Sequence, residues 1–329
     1  MPLLECVPNV SEGQSLEIIE KLANSIESVE GVNLLHQDIG SAANRTVFTF
    51  VGEPEPVMEA AFQLFKCCFS LIDMSLQKGS HPRQGAIDVC PFIPLKGISD
   101  NEAMELTQTL AKRIEKEIGT PIYLYEENAK SQARKNLAYL RKGEYESLPE
   151  KFEKLPLDYG NISNWKKCGV STMGVRKMLI AFNVNLDTQE VAKAKKIAEL
   201  VRESGMVVVD SYGDRERIPG RFKSVKALGW YIRDFDKVQV SYNLTDIEQA
   251  GILDVFIATK EEAQKLNCKV TGCELVGLVP VSELTKAGVY FNGGIPAAES
   301  SLLKSAIYGL GLSEIEEFIP KNKVIEYLI

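Results

Sequence analysis

Histidine is nearly absent from this sequence: His36 and His81 are the only two in 329 residues. A histidine-rich catalytic metal centre would have to be completed by distant carboxylates, so no metal is expected. The seven cysteines are odd in number and scattered at Cys6, Cys67, Cys68, Cys90, Cys168, Cys268 and Cys273. That spacing fits neither a disulfide framework nor a paired CxxC zinc site, and points to reduced, mostly buried thiols. No run approaches the roughly 18 consecutive apolar residues of a membrane span. The opening Met1-Pro2-Leu3-Leu4-Glu5 also lacks the charged-then-apolar layout of a signal peptide. The cytoplasm is therefore the expected compartment, and no membrane partner is expected. Neither GxGxxG nor GxxxxGK[ST] follows a strand-like run, which removes the main argument for a nucleotide phosphate cradle. Basic residues are in the minority, 38 Lys and Arg against 45 Asp and Glu, for a formal net charge of −7. Nonspecific nucleic-acid binding leans on a basic face, so nucleic acid is not an expected partner. An anionic small molecule would need cations gathered locally.

What is present is an ordinary globular composition, 45% hydrophobic and 25% charged. Leu3 to Val10 suits a strand, and Leu16, Ile19, Leu22, Ile26 and Val29 share one helical face. Two strands, Val32–Asp38 and Thr46–Val51, precede a second helix over 55–72. The run Asp88 to Pro94 is apolar but interrupted by prolines, which predicts an edge or terminating strand. Ser99 and Glu102 form a capping box for a helix ending at Gly119, and Ile122–Tyr125 reads as a strand. Residues 126–168 are charged and weakly periodic. A second cycle begins with a buried strand over 177–184. A helix capped by Asp187 and Glu190 follows, then strands near 224–232 and 237–242, a helix near 254–266 and the run 273–279. Asp214-Arg215-Glu216-Arg217 reads as a solvated loop. The order β-α-β-β-α-β thus occurs twice, predicting an α+β fold of two ferredoxin-like sandwich lobes with largely antiparallel sheets, 1–178 and 179–329. A parallel Rossmann sheet is the competing architecture.

His81 stands between Gly79 and Gly85, is followed by Pro82 and Arg83, and is the strongest candidate for chemistry. Glycine permits close backbone approach and proline restricts the chain beside the ring. An imidazole of ordinary pKa near 6.5 can take and return a proton at neutral pH. Asp38, at a strand end, could orient it or serve as a turn cap. Asn44-Arg45-Thr46 places an amide and a guanidinium at the mouth of a sheet. Arg45 and Arg83 could each grip a carboxylate or form surface ion pairs. Pro8 to Gly13, with Asn9 and Glu12, is a polar turn that could bind substrate or cap a helix. His36 reads as structural.

Several long blocks resemble the formiminotransferase (glutamate formimidoyltransferase) family. They are Glu5 to Gly13, Asn44 to Gly52 and Lys78 to Pro94, continued by Tyr123-Leu124-Tyr125, Arg141 to Glu146, Leu179 to Asn183, Gly229-Trp230-Tyr231, Leu275 to Pro280 and Ile325 to Leu328. The resemblance implies transfer of a formimino group from N-formimidoyl-L-glutamate to N5 of tetrahydrofolate, a co-substrate, in histidine degradation. It implies His81 as general acid and base, a homodimer, and a separate cyclodeaminase for ammonia release. It also places a folate-binding stretch on Gly160, Asn161, Ile162, Ser163, Asn164, Trp165, Lys166, Lys167, Cys168 and Gly169. Here Lys166, Lys167 and Cys168 depart from the family's pattern of serine, proline and an aromatic. The two lysines suit either an anionic glutamyl tail or a solvated loop. A relative acting on formiminoglycine or formylglutamate, and a folate-binding protein without turnover, are the alternatives.

Overall fold

The computed structural model describes residues 1–41, 43–210 and 212–329, and divides into two compact units, Met1–Lys177 and Met178–Ile329. The first unit contains β1 (Leu3–Cys6), β2 (Asn9–Val10), α1 (Leu16–Glu27), β3 (Val32–Gly40), β4 (Arg45–Gly52), α2 (Pro54–Leu71), β5 (Ile87–Lys96), α3 (Asp100–Glu117) and β6 (Ile122–Leu124). Short helices α4 (Leu137–Arg141), α5 (Leu148–Lys154) and α6 (Trp165–Cys168) precede β7 (Ser171–Val175). Helix ends follow local chemistry. Ser15 accepts from the Ile18 N–H at the start of α1, and both bonds of the Ser99–Glu102 box are present at α3.

Across the sheet the strands run β3, β4, then β1 and β2 end to end, then β5, β7 and β6. Pairing is antiparallel from β3 to β5. It is parallel between β5, β7 and β6. One face packs on α1, α2 and α3 through Leu22, Ile26, Phe48, Phe50, Leu64, Phe92, Ala111 and Met173. A smaller cluster of Val89, Tyr123, Tyr125, Leu140, Leu148 and Val170 draws the charged 126–168 segment onto the unit. Its few apolar side chains are too far apart in sequence to register as periodicity.

The second unit contains β8 (Ile180–Leu186), α7 (Val191–Val201), β9 (Met206–Val209), β10 (Arg215–Ile218), β11 (Val225–Ile232), β12 (Lys237–Leu244), α8 (Ile252–Lys265), β13 (Val270–Val276), α9 (Val281–Phe291) and α10 (Glu299–Leu310). Its main sheet runs β11-β12-β8-β13, wholly antiparallel. If the strands of each βαββαβ cycle are numbered one to four, with β1 and β2 counted as one, both sheets have the order two, three, one, four. The expected two ferredoxin-like lobes are therefore what the chain forms.

Three local expectations are corrected. β5 is internal rather than an edge: β1 and β2 flank it on one side and β7 on the other. Its prolines are tolerated because Pro94 lies at the register shift opposite Leu3/Leu4, while Pro91 lies beside the break between β1 and β2, where its carbonyl accepts from the Val7 N–H. Asp187 does not cap α7, which begins at Val191 with no side-chain cap bond; its carboxylate instead accepts the Lys269 N–H. Arg215–Ile218 is a strand paired with β9, every residue exposed, so no burial pattern marks it. Among the described residues, no helix is long and apolar enough to cross a membrane.

Candidate active site around His81

Two close backbone crossings shape the loop that carries His81. A Cβ on Gly79 would lie 2.1 Å from the Ala43 carbonyl oxygen, and one on Gly85 would lie 2.3 Å from that of Val170. The glycines flanking His81 therefore let the loop pass other backbone segments. Asn44, held at φ 49°, ties the loop down: its Oδ1 accepts from the Gly13 N–H at 2.9 Å, and its Nδ2 donates to the Lys78 carbonyl at 2.7 Å.

The sheet supplies the floor. In β5 the register against β2 shifts between Val10, opposite Ile87, and Asn9, opposite Val89, which leaves Asp88 as the extra residue. Such a bulge re-aims a side chain. Here it turns a fully buried carboxylate toward two arginines. Asp88 Oδ2 accepts from Arg45 Nη1 at 2.9 Å and Arg141 Nη2 at 2.6 Å, and Oδ1 accepts the Gln84 N–H at 3.0 Å. Burial pushes the Asp88 carboxyl up, but Arg141, Arg45 and these hydrogen bonds outweigh it and hold it below its ordinary value. Arg45 in turn donates through Nε and Nη2 to Asn9 Oδ1, at 3.0 and 2.7 Å.

His81 meets this cluster through Nδ1, which lies 3.0 Å from Arg45 Nη1 and 2.8 Å from the Pro82 carbonyl oxygen. Among the described residues Nε2 has no hydrogen-bond partner. Burial and the adjoining Arg45 charge pull the imidazole down to about 4, against the opposing pull of the Pro82 carbonyl and Asp88. The ring is thus neutral at pH 7 and can act as a base. Lys151, half-buried, donates to the Leu140 carbonyl at 2.7 Å and stands 3.4 Å from Gln84 Oε1. Burial brings its ammonium down to about 8, with Asp88 opposing.

The remaining residues singled out from sequence take defined places. Asp38 lies opposite Val47 and Arg45 opposite Gly40, so Asp38, Asn9 and Arg45 share one sheet face; Asp38 takes no part in the hydrogen bonds around His81. Glu12 Oε1 accepts the Gln14 and Ser15 N–H groups at the entry to α1, at 2.7 and 2.9 Å. Arg83 binds Gln77 Oε1 at 2.9 Å and Glu146 at 2.7 and 2.8 Å. The 160–169 stretch reaches the histidine loop at its far end. There Ala86 N–H donates to Cys168 O at 2.8 Å, Val170 N–H donates to Gln84 O at 2.9 Å, and Gly169 bridges Gly85. Trp165 is packed between Tyr145, 5.6 Å away, and Phe152, 6.2 Å away. Ile162 is exposed, and Lys167 Nζ lies 5.1 Å from the centre of the Phe69 ring. Burial raises the Cys168 thiol to about 11, so it is no nucleophile at neutral pH. Gly160, Asn161, Ser163 and Asn164 lie toward α3: Gly160 N–H donates to Glu115 at 2.8 Å, Asn161 Oδ1 accepts from Ser163 N–H, and Asn164 donates to Gly119 O.

Asp88, Arg141 and Lys151 were not anticipated as site residues. The signal for Asp88 was available: a lone carboxylate inside Ile87-Asp88-Val89-Cys90-Pro91-Phe92-Ile93 must be paired if that run is buried. Among the described residues, no group of three or more histidine, cysteine, aspartate or glutamate side chains gathers as metal ligands would.

Comparison with known proteins agrees with this architecture. Residues 3–176 match the family model for the N-terminal subdomain of the formiminotransferase domain, and residues 181–329 match the formiminotransferase domain model. The chain is 41% identical to formimidoyltransferase-cyclodeaminase of Sus scrofa over 99% of its own length, and spans 60% of that protein. It is 40% identical to glutamate formimidoyltransferase of Streptococcus pyogenes, over 88% of this chain and 93% of that one. It is 36% identical to the protein of the same name from Thermoplasma acidophilum, over 88% and 92%. With both halves matched and the two lobes folded alike, the chain belongs to the formiminotransferase family.

Proposed function

We propose that this protein is a glutamate formimidoyltransferase, moving the formimino group of N-formimidoyl-L-glutamate to N5 of tetrahydrofolate, with His81 as proton carrier. The observation that carries the reading is the unpartnered Nε2 of a neutral, half-buried imidazole in a chain so similar to a named transferase over nearly that protein's whole length. Reduced folate supplies the nucleophilic nitrogen. His81 takes the proton that nitrogen sheds and returns one to the departing glutamate nitrogen. Arg45, clamped by Asp88 and Asn9, fixes the ring against rotation. Asp38 lies on the same sheet face and acts on the bound cationic formimino group, since the ring's Nδ1 is already filled. Asn9 and Asn44 hold the surrounding turns. Lys166 and Lys167, on the exposed side of 160–169, face the glutamyl tail of the folate, and Arg83 serves a carboxylate when it exchanges Glu146 for substrate. In this reading the protein works in the cytoplasm as a homodimer, and a cyclodeaminase consumes the product.

The experiment follows 5-formiminotetrahydrofolate formation from formiminoglutamate, with formiminoglycine and formylglutamate as competing donors. General acid–base catalysis contributes about 10²- to 10⁴-fold, so His81→Ala should lose turnover by that factor while remaining folded. Near wild-type turnover in a folded His81→Ala variant refutes the role of His81. Binding of tetrahydrofolate without any transfer refutes the enzyme.

A further inference from the structure

The Nδ1 atom of His81 has two neighbours with opposite requirements. The Pro82 carbonyl oxygen, 2.8 Å away, can only accept a hydrogen bond; the Arg45 guanidinium, 3.0 Å away, can only donate one. A protonated Nδ1 donates to Pro82 and directs its hydrogen away from Arg45. A bare Nδ1 accepts from Arg45 and faces the Pro82 oxygen lone pair to lone pair. The two neighbours differ in what being left out costs them. Arg45 Nη1, when left out, still donates to Asp88 Oδ2 at 2.9 Å, whereas the Pro82 oxygen, when left out, can only share at 3.5 Å the Nη1 hydrogen already given to Nδ1. The ring therefore has two competing neutral tautomers, and Nε2 is the nitrogen that a ligand meets.

We propose that Arg45 is a positioning residue that selects the tautomer of His81. In the ligand-free protein it holds Nδ1 bare and leaves the hydrogen on Nε2, and the Pro82 carbonyl takes over when a ligand brings an N–H donor to Nε2. This rests on the reading of His81 as proton carrier and refines it. The order follows from bond strength: a hydrogen bond from a charged donor is about twice as strong as a neutral one, so the Arg45-bonded tautomer should exceed the Pro82-bonded one roughly tenfold. Asn9 fixes the far edge of the same guanidinium. Arg45, Arg141 and Asp88 are the charged groups acting on the ring. Burial and the two arginines outweigh Asp88 and disfavour the imidazolium, so the neutral forms compete with each other. The exchange conserves charge and protons: one hydrogen leaves Nε2 for solvent and one arrives at Nδ1 from solvent. A ligand offering an acceptor, such as a carboxylate, keeps Nε2–H. A ligand offering an N–H needs a bare Nε2 and draws out the base. His81 is thus armed as a base when the nucleophilic nitrogen of the folate presents its N–H to Nε2, and is left unarmed by a carboxylate.

The test is the long-range ¹H–¹⁵N spectrum of imidazole-labelled, ligand-free protein at pH 7. With only two histidines in the chain, a His36→Gln variant assigns the His81 signals. The expected result is a predominantly Nε2–H ring in the wild type and a roughly tenfold swing toward Nδ1–H in Arg45→Met. Added tetrahydrofolate should move the wild type in the same direction. A wild-type ring that is already Nδ1–H, or an Arg45→Met ring that does not change, overturns the proposal. Should Arg45→Met not fold, Asn9→Ala, which frees one edge of the guanidinium, must shift the ratio the same way, and no shift counts against it. Lack of transferase activity would refute the function while leaving the ligand-free spectra unaffected, so the two failures are distinguishable.

Discussion

Replacing Asp88 by alanine tests the buried cluster beneath the histidine. The substitution removes the acceptor of Arg45 at 2.9 Å, of Arg141 at 2.6 Å and of the Gln84 N–H at 3.0 Å. Side-chain exposure is 8% for Arg45 and 16% for Arg141, so two guanidinium groups would be left close together with little water to screen them. Removing one partner of a buried ion pair costs about 3–5 kcal/mol, and the stranded Gln84 N–H adds about 1 kcal/mol. A loss of about 4–6 kcal/mol is a large share of the roughly 5–15 kcal/mol that holds a domain folded. At about 2–4 °C per kcal/mol for a unit of this size, the melting temperature should fall by about 8–24 °C. Trp165 lies in the first unit and Trp230 in the second. In a Trp230→Phe background, tryptophan fluorescence therefore follows the unit that contains Asp88. Asp88→Asn, which keeps the shape and one acceptor but loses the charge, should fall between alanine and wild type. A loss below about 1 kcal/mol in Asp88→Ala would refute the view that this carboxylate organises the cluster.

Glu5 is 4% exposed, and burial lifts its carboxyl from 4.5 to about 7 against the pull of Arg176. Its folded pKa lies above its unfolded one, so its contribution to stability is most favourable below about pH 4.5, declines as pH rises, and levels off above about pH 7. Glu5→Gln should therefore stabilise the protein by about 3 kcal/mol at pH 8 and by almost nothing at pH 4, measured by urea unfolding at the two pH values; an equal effect at both contradicts the assignment. Asn44→Ala gives up two side-chain hydrogen bonds and places alanine at φ 49°, for a loss of about 3 kcal/mol. Asn44→Gly should recover about 1 kcal/mol of that through backbone freedom alone, and thermal melts in which glycine is no better than alanine would refute the strain component.

Much of this protein is legible before folding is considered. The helices α1, α2, α3 and α8 are legible along the chain, α3 also by its cap, and two βαββαβ cycles imply two sandwich lobes. The reason is that amphipathic helices and hairpin-linked strands are set by residues close in sequence. His81 stands out as the candidate in sequence as well, because glycine and proline around a scarce histidine narrow the choice, and long blocks resemble one family. What sequence could not supply depends on residues brought together from afar. The prolines of β5 suggest an edge until the break between β1 and β2 is seen to lie opposite them. β10 is invisible because both its faces are wet. The cations expected to wait for substrate, Arg45 and Arg83, already bind Asp88 and Glu146, and spacing along a chain does not reveal which carboxylate a guanidinium will meet. Sequence by itself determined the two lobes and the family, and singled out the histidine as the candidate. Only tertiary structure decided what surrounds that histidine, because a one-residue bulge in β5 turns Asp88 under the site and sets two arginines and the imidazole in place around it.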